Sequence, residues 1–180
     1  MAAEIQDLSY LRNAVGVFED FLLSNEIYWP MGRMRLSLGR LLLALTRLQA
    51  RPLPAGEKSE FERLERQIMQ ARDHWRTNWE RKAAREIPAR LTLWRDYLED
   101  LFREPKEHAA EYRYEVRLRV MLELLMQEAH GAAGAQAGEL ALLDQRLRNA
   151  LMPGDFIWEA EMARGFPPQP FWYLYGLPRS

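Results

Sequence analysis

The chain has no cysteine, only three histidines and ten glycines in 180 residues. The missing thiols exclude disulfides, thiolate zinc sites, iron–sulfur ligation and cysteine nucleophiles together. Three imidazoles, His74, His108 and His130, are the whole supply for metal binding or base catalysis. A metal-binding bundle needs Glu-x-x-His on facing helices, or two histidines four apart on one face. Neither spacing occurs, so no metal site is expected. The glycines form no Gly-x-Gly-x-x-Gly and no lysine-terminated phosphate loop, and no Gly-x-Ser-x-Gly elbow is present. A non-enzymatic protein without a cofactor is the expectation.

Charge of one sign is also lacking in excess, with 25 basic and 26 acidic residues. Dense, balanced charge describes a solvated surface and gives no global pull toward nucleic acid. Arginine outnumbers lysine 22 to 3, which fits a GC-rich bacterial coding sequence. The most apolar run, Met31 to Leu48, is broken by Arg33, Arg35, Arg40 and Arg47. A bilayer span needs about 20 mostly apolar residues, and a charge at its centre costs ~3 kcal/mol, so no membrane segment is expected. Acidic Glu4 and Asp7 stand where a secretory or transit leader carries basic residues. Together these features suggest a cytoplasmic protein.

What is present is amphipathic helix. Ile5, Leu8, Leu11, Val15, Phe18 and Leu22 repeat at helical spacing over residues 3–24. Pro30 is suited to the first turn of a second helix running to Ala50, basic and without an acidic residue. Its leucines lie on two sides, as in a central helix. Residues 51–57 read as a loop, and Ser59 with Glu62 as a capping box for the next helix. That helix would exceed 40 residues unless Pro88 kinks or breaks it. A fourth starts at Pro105. Within it, residues 112–124 alternate polar and apolar like a strand, but no other segment offers a strand partner, so helix is expected. Gly131–Gly138 reads as a flexible linker before a last helix, 139–151. The predicted fold is therefore an all-α helical bundle of about five main helices, the third long and kinked at Pro88, over residues 1–153.

Residues 154–180 differ in kind. Seven of the chain's twenty aromatics fall there, interleaved with four prolines. Burying such side chains yields ~1.5–3 kcal/mol each, while ordering the backbone costs ~1–2 kcal/mol per residue. This irregular aromatic and proline-rich extension should therefore order only against a surface that covers most of its rings at once. It is expected to pack on the bundle as part of one domain, with Tyr28 and Trp29 as a receptor.

Two functions from different classes follow. The first is a protein–protein interaction or assembly module, with a protein partner or a second copy docking at Tyr28, Trp29, Phe171, Trp172, Tyr173 and Tyr175. The second is small-molecule binding in an apolar pocket between helices lined by Trp75, Trp79, Trp94, Met121 and Met126. Seven basic residues against three acidic ones between Arg72 and Arg95, with tryptophans interleaved, resemble a single-strand-binding stretch. They scatter around the helix while the tryptophans face inward, so no nucleic acid partner is expected.

Overall fold

A computed structural model describes the backbone of residues 2–180 and the side chains from Gln6 onward; the expected contact of Ile5 lies outside the described side chains. The chain is mainly α-helical, with only short antiparallel strand pairs among the described residues. Helix α1 (Ala2–Leu23) buries Leu8, Leu11, Phe18 and Leu22 as its periodicity requires.

The next segment departs from expectation. Pro30 does not open a helix but lies in strand β1 (Trp29–Met31), paired with β2 (Met34–Leu36). Gly32 turns between them at φ 61°, a backbone region that costs residues with a Cβ. Met31 and Leu36 point inward. Helix α2 (Leu38–Ala50) starts only after Ser37, whose Oγ accepts the Arg40 N–H at 3.4 Å. All of its leucines are buried, as a central helix demands.

Helix α3 (Ala55–His74) begins four residues before Ser59, so Ser59 and Glu62 lie within the helix and form no cap. The long helical stretch is interrupted at Trp75 (φ −111°, ψ 41°) instead of at Pro88. Pro88 lies inside α4 (Arg76–Arg103) on its exposed side, where the bond a proline removes is least costly because water reaches the backbone. Helix α4 packs most extensively on α7 (Arg117–Glu128), and its Trp79, Ile87, Trp94 and Leu98 are buried. Between them run α5 (Pro105–His108), a 3₁₀ turn (Ala109–Glu111) and α6 (Tyr112–Glu115). Residues 112–124 are thus helical apart from the junction at Val116. Gly134–Gly138 is no linker: α8 (Gly134–Ala150) already includes it, and only the residues just before it form turns.

The C-terminal segment folds back on the helices. Strand β3 (Leu151–Pro153) pairs with β4 (Gly176–Pro178). Between them lie a 3₁₀ helix (Ala160–Gly165), the short turn α9 (Pro168–Phe171) and a second 3₁₀ turn (Trp172–Leu174). The Tyr112 hydroxyl donates to the Tyr173 carbonyl at 2.7 Å, and Arg164 Nε to the Ala50 carbonyl at 2.6 Å. Phe166, Tyr173 and Leu174 are fully buried.

Candidate functional site

A cleft of about 780 Å³ opens between α1, the β1–β2 hairpin, α2, α4 and the α6–α7 junction. Six arginines line it: Arg35, Arg40, Arg47, Arg90, Arg113 and Arg117. Asp7 is the one carboxylate among the described lining residues. Local structure explains the convergence. Arg40 and Arg47 lie seven residues apart, two turns along one face of α2. Arg113 and Arg117 lie four apart across the α6–α7 junction. Arg35 comes from the exposed side of the hairpin, and Arg90 from α4.

A buried polar network forms one wall. Glu86 is fully buried and accepts the Gly39 N–H at 2.9 Å and Arg90 Nε at 2.9 Å. Its negative charge thus sits at the N-terminus of α2, where unpaired N–H groups and the helix dipole favour it. Arg90 also donates to Ser37 Oγ at 2.8 Å, the Ser37 N–H donates to the Tyr10 hydroxyl at 3.2 Å, and Tyr10 donates to the Arg35 carbonyl at 3.1 Å. Every member is hydrogen-bonded, so the wall is rigid and its charges are matched.

The other lining arginines are less well matched: of these five only Arg117 has an ion pair among the described residues, with Glu115 at 3.4 Å. Among the described residues Arg35, Arg40, Arg47 and Arg113 form no ion pair, although Arg113 donates to the Ile157 carbonyl at 2.6 Å. Arg47 is half-buried, its guanidinium lies over the Trp158 ring at 4.8 Å, and its buried Nε has no hydrogen-bond partner. Burial lowers its pKa, partly offset by Asp7 and Glu159. Burial likewise pushes the Asp7 carboxyl up to about 6, against the opposing pull of Arg47, Arg51 and Arg40. Asp7 Oδ2 is buried without a hydrogen-bond partner. Two desolvated charges of opposite sign therefore face one cleft without bonding each other.

Planar pairs complete the lining. Arg40 lies over Tyr10 at 5.2 Å, Arg90 over Tyr28 at 5.5 Å and Arg117 over Tyr114 at 3.8 Å. Tyr114 is exposed at the rim. No protein-family model matches this chain, and no curated protein or solved structure is significantly similar to it.

The residues singled out from sequence are dispersed. Tyr28 lines the arginine cleft, and Trp29 is half-buried in β1. Phe171 and Tyr173 are buried, and Trp172 and Tyr175 half-buried. Phe171 and Trp172 both meet Tyr173 edge-on, while Tyr175 packs on Phe156. The tail's hydrogen bonds run to α2 and the adjoining Arg51, to α6, to Ala150 at the end of α8 and within the tail itself, not to Tyr28 or Trp29. Trp75 lines a second groove of about 450 Å³ between α1 and α3, and Met121 lines the arginine cleft. Trp79 and Trp94 line neither. Trp79 meets Phe18 edge-on and donates to Glu128 at 2.8 Å, and Trp94 stacks on Tyr97. Met126 is half-buried against the core.

Sequence reasoning missed Asp7 and the six lining arginines as a site. The signal was a basic stretch, 27–56, without an acidic residue after Glu26. Three of its arginines, Arg35, Arg40 and Arg47, line the cleft.

Proposed function

We propose that the protein is a binding protein that holds an anionic small molecule in the arginine-lined cleft. The five-part bundle, with α3 and α4 counted as one bent unit, serves as the frame. The observation that carries this is that four of the six lining arginines, Arg35, Arg40, Arg47 and Arg113, have no ion pair among the described residues, against the single carboxylate of Asp7, in a cleft of about 780 Å³, a size that suits a drug-sized ligand. Gathering unpaired cations around one cleft costs free energy through mutual repulsion and desolvation. An anion bound between them offsets that cost.

Thermal shift of the purified protein tests the proposal. Phosphate- and carboxylate-bearing compounds should raise Tm, with a smaller rise at higher salt, and neutral analogues of equal size should not. Arg40→Gln, on the exposed rim, should weaken the effect several-fold. No stabilisation by any anion in low salt would sink the proposal.

A second function, assembly through the C-terminal segment, has one observation in its favour. Trp172 and Tyr175 keep part of their surface in solvent while their neighbours are buried, and such rings often anchor interfaces.

A further inference from the structure

The cleft has a feature that simple anion binding does not use. A site for inorganic phosphate needs only donors, yet Asp7 lines the same cleft as the arginines. Its carboxylate forms no hydrogen bond among the described residues, and its Oδ2 is buried. A buried acceptor without a donor is costly, as is the partnerless buried Nε of Arg47 nearby. No single charge satisfies both. A ligand with an anionic group at one end and N–H donors at the other satisfies each with its complement.

The walls between these groups narrow the choice further. At the rim the Arg117 guanidinium lies over the Tyr114 ring at 3.8 Å, and such a pair gives a surface on which a planar ring can stack. Tyr114 stays 63% exposed at the rim although it is a large aromatic. A stacking surface at the mouth accounts for that placement. Building on the proposed anion-binding function, we infer that the ligand is a nucleotide. Its phosphate lies against Arg40, Arg47 and Arg117, its base stacks on Tyr114, and the base's N–H edge donates to Asp7. Guanine matches best, because two adjacent donors on its Watson–Crick edge meet the two oxygens of one carboxylate once the Asp7 side chain turns its buried Oδ2 into the cleft. Adenine presents an acceptor where the second donor is needed.

Isothermal titration of the intact protein with guanosine monophosphate, inosine monophosphate and ribose phosphate tests this. The guanine nucleotide should bind roughly tenfold or more tightly than the other two, since inosine lacks the second donor and ribose phosphate lacks the base. Asp7→Asn should remove that advantage while leaving ribose phosphate binding equal or tighter. Tyr114→Ala, on the surface and outside the core, should weaken both nucleotides and spare ribose phosphate. Equal affinity for all three compounds would overturn the nucleotide inference and leave the anion cleft standing. So would guanine selectivity that survives Asp7→Asn. No binding of any of the three, with no stabilisation by other anions, would remove both.

Discussion

Asp7 shows how a single residue's cost points to a site. Its carboxyl is desolvated on α1, with Arg40, Arg47 and Arg51 facing it from α2 and its C-terminus and Glu159 from the C-terminal segment. With its pKa raised from 3.8 to about 6, the folded state holds more protons than the unfolded state between those values. Stability therefore falls as pH rises from about 4 to about 6 and levels off above. The cost at neutral pH is on the order of 3 kcal/mol. Denaturant titrations across this range should show the slope in the native sequence, and Asp7→Asn should flatten it and raise stability at pH 7. A residue that destabilises its own fold, placed in a cleft, fits retention for binding. Glu86 is the contrast, since it is more deeply buried yet bonded on both oxygens.

Among the elements, the C-terminal segment rests on two close approaches. Gly176, at φ 153°, leaves 2.3 Å between the position of an added Cβ and the Met152 carbonyl oxygen. Gly165 leaves 2.6 Å to Ala50 Cβ on α2. Alanine at either position forces backbone apart, in the first case with added conformational strain. Each substitution should destabilise by about 2 kcal/mol or more, read as a lower denaturation midpoint. Hydrogen exchange should rise first at the amides of Gly154 and Ile157, which bond to Tyr175 and Leu174. Gly16, with nothing near its Cβ position, is the control. The helical character of α1, α4, α7 and α8 was legible from period, because their apolar positions repeat every few residues, whereas proline placement misled about where α4 begins. The β1–β2 hairpin was not. A helix over 30–50 satisfies the same leucines, and only the φ of Gly32 and the Ser37 cap separate the two alternatives.

At the scale of the whole molecule, the tail closes the core. Its rings form a continuous cluster, with Phe166 meeting Trp158 at 5.3 Å and Phe171 at 5.2 Å, and the Arg148 guanidinium covers Trp172 at 3.7 Å. Tyr112 and Ala50 meet the tail and are buried in the intact chain. Truncation after Gly154 should therefore lower Tm by at least 10 °C or leave the chain partly unfolded with exposed apolar surface. A truncated chain as stable as the whole would show the segment to be an appendage. The tail also connects to the cleft, because Trp158 lies beneath Arg47 and Arg113 bonds the Ile157 carbonyl. Losing the segment should consequently weaken ligand binding as well as the fold.

The sequence by itself determined that this chain is helical, carries no thiol chemistry, has no helix long and apolar enough to cross a membrane among the described residues, and ends in a segment that must be covered. These properties depend on composition and on spacings of a few residues, which one sequence displays directly. Only the tertiary structure decided that the tail covers the C-terminal end of α2 and α6 instead of Trp29. It also decided that arginines drawn from residues 35–117 line one cleft with Asp7. Those outcomes depend on contacts between residues up to about a hundred positions apart, and no local period encodes which of many solvated arginines will share one cleft.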